Sequence, residues 1–342
     1  MKAMKKLAAA LLALSMLFAL AACSGGAANS PSPSVNPSDS AEPTDPGESK
    51  TVYTVGICQL APHVALDAAT QGFKDALVEK LGEDGVKIEE RNAAGESNTC
   101  STIVTGFLAD KVDLIMANAT SALQAAASAT GDIPVLGTSV TEYGVALNIP
   151  NFNGLVGTNV SGTSDLAPLD QQAQMITDWC PDAKTVGLLY CSAEPNSQYQ
   201  VDTVQGYLEK LGFTCTQYPF SDTNDMASVT QNAADNCDVI YVPTDNTVAN
   251  NTGIVDNICR GKVPVFVGEE GICAGCGVAT LSISYYDLGY ATGLMAVKIL
   301  TGESDVSQMP IEYAVNFTRK YNPATCADLG LTPPEGYEAI EG

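Results

Sequence analysis

Short apolar runs that break off into polar loops alternate along this chain with longer stretches whose apolar positions recur every three to four residues. Val52 to Ile57 is one such run, and Gln59 to His63 is the loop after it. The next stretch, Ala65 to Leu81, sets Leu66, Ala69, Phe73, Leu77 and Leu81 on one helical face, with Pro62 placed to open it and Gly82 to stop it. Val86 to Arg91 reads as a strand, Ser97 to Ala109 as a helix and Leu114 to Ala117 as a third strand. Thr120 or Ser121 supplies a hydroxyl cap for a helix reaching Thr130, and Ile133 to Gly137 is a fourth strand. Strands alternating with helices at this rhythm predict a parallel sheet with crossover helices.

The rhythm then repeats. Residues 113–121 (DLIMANATS) and 238–246 (DVIYVPTDN) are both apolar runs ending in polar loops, 125 residues apart. Residues 184–191 (KTVGLLYC) match 50–57 (KTVYTVGI). Residues 207–212 (YLEKLG) match 77–82 (LVEKLG), and 263–266 (VPVF) match 133–136 (IPVL), both at an offset of 130. Several matches in one order predict two similar α/β halves, each presenting polar loops to a shared space. Between the halves, Gly154 to Gly162 reads as a strand and Thr163 to Trp179 as a connector and helix. After the second half come a strand (Gly277 to Ser284), a helix (Asp287 to Leu300), a strand (Ile311 to Phe317) and a short helix (Pro323 to Leu329).

The first fifty residues lie outside this pattern. Lys2, Lys5 and Lys6 precede an apolar stretch, Leu7 to Ala19, that is too short to span a bilayer and ends in small residues before Cys23, as an export signal does. The end of that stretch, Leu20-Ala21-Ala22-Cys23, resembles the lipobox of bacterial lipoproteins, which implies that Cys23 is lipidated and becomes the mature N-terminus. Residues 24–50 are Ser-, Pro-, Gly- and acid-rich with nothing to bury, and read as a disordered tether. The remaining 292 residues are too many for one comfortable core and favour two lobes.

Charge and cysteine usage narrow the function. The chain carries a formal −23, and setting aside the three signal lysines leaves 13 basic residues against 39 acidic ones. That sign disfavours nucleic acid and adhesion to anionic lipid through a basic patch. Eleven cysteines include Cys23, and the only close pair is Cys273 and Cys276. With a single histidine, His63, no zinc ligand set is visible.

Catalytic motifs are missing as well: there is no nucleophile elbow, Walker loop or paired-histidine metal helix, and a hydrolase would have to rely on His63. No catalytic residue, metal or cofactor is expected. What remains is a set of polar residues at strand carboxyl ends, where open α/β sheets bind ligands. In the first half these are Gln59, His63, Asn118, Thr120, Ser121 and Ser139; in the second, Glu194, Asn196, Ser197, Asp245, Asn246 and Glu269. Hydroxyls and helix N-termini suit a carboxylate, while Asp245 and Glu269 suit an ammonium, so the set fits a zwitterion held between the halves. With Thr244 as the helix cap, Asp245 would be free for that role. Trp179 ends a helix before Cys180-Pro181 and reads as packing.

From about Val52 to Ala314 the chain resembles the ABC-transporter substrate-binding family that includes tryptophan-binding lipoproteins. The residues that carry this are 55–57 (VGI), Pro62-His63, 65–68 (ALDA), 157–165 (GTNVSGTSD), 194–197 (EPNS), 242–248 (VPTDNTV) and 279–289 (ATLSISYYDLG). The resemblance implies a type I periplasmic-binding-protein fold: two Rossmann-like parallel-sheet lobes joined by a three-segment hinge, with lobe 1 at 51–165 and 286–309 and lobe 2 at 166–285 and 310–342. It also implies a lipid-anchored protein on the extracytoplasmic face of the cell membrane that captures an aromatic or other apolar amino acid by hinge closure and serves an ABC permease and its ATPase subunits. Ser284 departs from the pattern, standing before the Tyr-Tyr pair where relatives often have Asp, which bears on ligand choice. A ligand sensor for a membrane receptor, or a sugar or nucleoside ligand, is the alternative within the same fold.

Overall fold

A computed structural model describes residues 51–340, all within one compact unit that begins at Lys50. The export signal, Cys23 and the tether lie outside the described residues. The first half runs β1 (Tyr53–Gln59), α1 (Val64–Leu81), β2 (Val86–Asn92), α2 (Ser97–Asp110), β3 (Leu114–Asn118), α3 (Thr120–Ala129), β4 (Val135–Val140), α4 (Tyr143–Ala146) and β5 (Val160–Ser164). The second runs α5 (Leu169–Trp179), β6 (Thr185–Cys191), α6 (Pro195–Lys210), β7 (Thr214–Phe220), α7 (Thr223–Asn236), β8 (Val239–Val242), α8 (Asn246–Ala249), α9 (Thr252–Cys259), β9 (Val265–Val267), α10 (Glu270–Cys276) and β10 (Ala279–Ser282). The chain closes with α11 (Tyr285–Leu300), β11 (Glu312–Tyr313), β12 (Thr318–Tyr321), α12 (Pro323–Leu329) and β13 (Glu338–Ala339).

These strands form two sheets. One has six strands in the order β11-β5-β4-β3-β1-β2, the other seven in the order β13-β12-β10-β9-β8-β6-β7. Every pairing is parallel except β10 with β12. The central strands β3 and β8 are buried along their whole length, as continuous apolar runs between two helical layers should be. The repeat extends to a shared strut. Asp113 accepts the Thr54 N–H at 2.7 Å, and Asp238 accepts those of Lys184 and Thr185 at 2.8 and 2.9 Å, so each half ties its first strand to its third.

Three segments carry the chain between lobes: Asp165 to Pro168, Ile283 to Ser284, and Ala314 to Phe317. The second delivers α11 back to the first lobe against α1. That contact is close enough that a Cβ on Gly289 would lie 1.9 Å from the Ala69 carbonyl oxygen, and one on Gly72 2.1 Å from that of Tyr286. The third crossing falls later than the boundary expected between 309 and 310, because β11 still pairs with β5 in the first sheet. The strand expected over Ile311 to Phe317 is accordingly reduced to Glu312–Tyr313, and the one expected over Gly154 to Gly162 begins only at Val160. Trp179 packs between Phe266, Tyr321 and Tyr337.

Candidate functional site

Residues just past the strand ends of both sheets line a narrow cavity between the lobes. From the first lobe come His63, Leu66, Ser139 and Thr141, and from the second Asn196, Thr244, Asp245, Asn246 and Glu269. Asp165 and Tyr285 enter from the crossing segments. An outer crevice adjoins it, sharing Asn246 and lined by Leu60, Ser97, Ser121, Cys191, Glu194 and Thr247 among others.

The two halves equip this space differently. Asp245 is not free: it is itself the N-cap of α8, accepting the Val248 N–H at 2.9 Å and, through its other oxygen, the Cys191 N–H at 2.8 Å. The expectation that Thr244 caps that helix is corrected, because the carboxylate one position on reaches the first-turn donors. Burial, with Glu194 nearby, pushes Asp245 up to about 7. Glu269 likewise caps α10, accepting from Ile272 N–H at 2.7 Å and Gly271 N–H at 2.8 Å. Its carboxyl is also raised by burial, a rise that His63 opposes. Glu194 is spent on the start of α8. Ser197 is fully buried, and Asn196 donates to Glu194, to the Ser197 hydroxyl and to the Thr244 carbonyl.

In the first half the cap position of α3 belongs to Ala119, at φ 89°, which has no side chain to offer. Thr120 and Ser121, expected as caps, are in the helix instead. The N–H groups of the α3 first turn therefore lack a side-chain acceptor. Ser121 lines the outer crevice, nine-tenths buried. Ser139 lies next to Ala119, whose N–H bonds the Thr138 carbonyl at 3.0 Å. It sits at φ 54° in an irregularity between Gly137 and Val140 where β4 slips against β5. A bulge of this kind re-aims a side chain. The Ser139 hydroxyl is buried with no hydrogen-bond partner among the described residues.

Asp165 is the residue the sequence reading left out. It is buried and accepts the Tyr285 hydroxyl at 3.0 Å through one oxygen, while the other, Oδ1, has no partner among the described residues. Burial raises its carboxyl to about 6 against the pull of the Tyr285 and Thr141 hydroxyls. The signal was present in sequence, since Asp165 closes the stretch 157–165 and Tyr285 opens the Tyr-Tyr pair. Neither stood at the end of a strand in the repeated register.

Five expected ligand residues line neither space: Thr120, Ser197, Gln59, Asn118 and Ser284. Gln59 donates to the Ala61 carbonyl at 2.8 Å and Asp67 at 2.6 Å and accepts from Thr70 at 2.6 Å. Asn118 donates to the Leu66 carbonyl and Thr70, so both side chains tie the start of α1 to the sheet instead of lining the cavity. Ser284 caps α11 by accepting the Asp287 N–H at 3.2 Å and faces grooves on the hinge side.

An interlobe cavity walled by strand-end loops is where a two-lobed binding protein holds its ligand, and the model of the family described as ABC transporter substrate binding protein matches residues 54–339. The chain belongs to that family. Its members are binding proteins and not enzymes. Over 273 residues, 77% of each chain, this substrate-binding protein is 36% identical to a tyrosine-binding protein of Clostridioides difficile. Among solved structures it resembles an ABC domain from Streptococcus pneumonia in complex with L-Trp, with TM-score 0.80 and 32% identity over 85% of this chain and all of that one. It also resembles the ligand-free, open structure of a substrate-binding protein with adhesive properties from Clostridium difficile, with TM-score 0.66 and 37% identity over 84% of this chain and 99% of that one. The relative more similar in sequence is less similar in shape, so the lobes here stand nearer to the arrangement of the L-Trp complex than to the open one. Sugar- and leucine-binding proteins at 13–14% identity and TM-scores of 0.55–0.58 share the type I two-lobed fold.

Proposed function

We propose that this protein captures an aromatic α-amino acid between its lobes and hands it to an ABC permease driven by its ATPase subunits. The observation that carries the reading is the pair of buried polar atoms without a partner among the described residues, Asp165 Oδ1 and Ser139 Oγ, on two residues that line the cavity. A buried carboxylate oxygen without a donor is costly, and an ammonium group removes that cost. A carboxylate beside Ser139 approaches the uncapped first turn of α3, where helix N–H groups and dipole favour an anion. Leu66, Ala65, Ala249 and Tyr285 give the cavity apolar faces for a side chain. The tyrosine-binding and L-Trp-bound relatives support the aromatic class. The reading includes a lipid anchor at Cys23 that holds the domain at the extracytoplasmic face of the membrane.

Calorimetric titration with L-tyrosine, L-tryptophan, L-leucine, glucose and a nucleoside tests it. The aromatic amino acids bind, and N-acetyl-L-tryptophan, which lacks the ammonium, binds at least about thirtyfold more weakly than L-tryptophan. Tighter binding of the sugar or nucleoside, or indifference to N-acetylation, overturns the proposal.

A further inference from the structure

Glu194 was a candidate ligand residue, but its acceptor capacity is already filled. One oxygen accepts the Asn246 N–H at 3.1 Å, the Asn246 Nδ2 at 2.7 Å and the Asn196 Nδ2 at 3.2 Å. The other accepts the Thr247 N–H at 2.8 Å and its hydroxyl at 2.7 Å. Five donors on a group with about four lone-pair sites leave nothing for an ammonium.

The same contacts fix the orientation of Asn246. An ionised carboxylate only accepts, so the NH₂ of the Asn246 amide must face Glu194 and its oxygen must point away. That oxygen lies 3.2 Å from Nε2 of His63, across the cleft on the first lobe. The partner being an acceptor, His63 must donate from Nε2. Among the described residues this is the one side-chain hydrogen bond that joins the lobes away from the crossing segments. It also stands at a boundary: both residues line the cavity, and Asn246 lines the outer crevice as well.

We infer that Glu194, Asn246 and His63 form a latch across the cleft, in which Glu194 positions the Asn246 amide so that its oxygen receives His63 and seals the cavity from the crevice. The inference rests on the cavity being the ligand site. A latch of this kind acts on the lifetime of the closed state and not on which ligand is preferred, because closure gains the same bond whatever is inside.

Stopped-flow dissociation of L-tryptophan and of L-tyrosine from wild type, Asn246→Ala, His63→Ala and His63→Gln tests it, with melting curves to check folding. Asn246→Ala speeds release of both ligands on the order of tenfold and by the same factor, with association little changed. His63→Ala speeds release as Asn246→Ala does, and His63→Gln, whose amide can still donate, recovers part of the difference. Glu194→Gln, which lets the Asn246 amide turn over, speeds release as Asn246→Ala does. A change below about threefold in Asn246→Ala, or one that alters the ratio between the two ligands, overturns the latch and marks Asn246 as a direct ligand contact. If wild type binds neither amino acid, the functional reading fails separately. The latch is then read from solution scattering of the free protein: a larger radius of gyration in Asn246→Ala supports it and identical profiles overturn it.

Discussion

The helices α3 and α8 occupy corresponding places in the two lobes, and their first turns are finished in opposite ways. At α8 the cap is Asp245, and Glu194 covers the next donors, so the protein's own carboxylates satisfy the helix start. At α3 the cap is Ala119, and no side chain among the described residues accepts from that turn. The second lobe is thus a self-satisfied face, while the first keeps open positions in Ser139, the α3 N-terminus and, at its edge, Asp165. A ligand carboxylate at α3 would do there what Asp245 does at α8. On the proposed function, two copies of one supersecondary unit divide the labour between a face that recognises and a face that closes.

Deleting one acid from each side gives the largest contrast. Asp165→Asn removes the proposed partner of the ammonium and lowers affinity for the cognate amino acid by roughly 100-fold, with the melting temperature unchanged or raised, since an unfavourable buried charge is gone. Asp245→Ala leaves two buried N–H groups without acceptors and an uncapped helix, and costs about 2–4 kcal/mol of stability in chemical denaturation. The comparison breaks if Asp245→Ala weakens binding more than Asp165→Asn does while leaving the denaturation midpoint in place.

That contrast also measures what the sequence made legible. The α/β alternation, the two halves and the loops that meet were readable because strand and helix periods and the offset copies are local properties of the chain. The roles of the acids were not. Asp245 and Ala119 differ in whether a helix start is satisfied from within, and this depends on which residue the helix begins at, a boundary that shifts by a residue or two without any change in pattern. Asp165 escaped because it sits in a crossing segment, where neither period applies and where burial comes from both lobes at once. Gln59 and Asn118 were assigned to the ligand from their strand-end positions, but polar side chains there also tie the following helix to its sheet.

Acidity sharpens the same division at a smaller scale. Asp165 is raised to about 6 and Asp245 to about 7, both above the ordinary 3.8. A raised carboxyl binds its proton more tightly in the folded state, so its contribution to stability is full below about pH 4 and is lost as pH rises through the folded value. Glu269 shifts in the same direction. These groups therefore make the ligand-free protein less stable at pH 7.5 than at pH 5, as melting curves will register. Binding runs the other way. An ammonium needs Asp165 ionised, so affinity falls about tenfold between pH 7.5 and pH 5, and Asp165→Asn removes most of that dependence. A slope that survives in Asp165→Asn would assign the titration to Asp245 or Glu269, on the closing face.

The smallest effect tests the recognising face at its most ordinary contact. Ser139 has a left-handed backbone and a buried hydroxyl with no partner, an arrangement that costs stability and brings no visible return in the free protein. If the hydroxyl exists to meet the ligand, Ser139→Ala loses one hydrogen bond to a carboxylate and weakens binding by on the order of tenfold. The same change relieves an orphaned polar atom, so the free protein melts at the same temperature or slightly higher. Thr244→Val, which removes a hydroxyl from the opposite wall, shifts affinity by less. Equal losses from the two walls, measured by calorimetry on both variants, would show recognition shared between the lobes and undo the asymmetry.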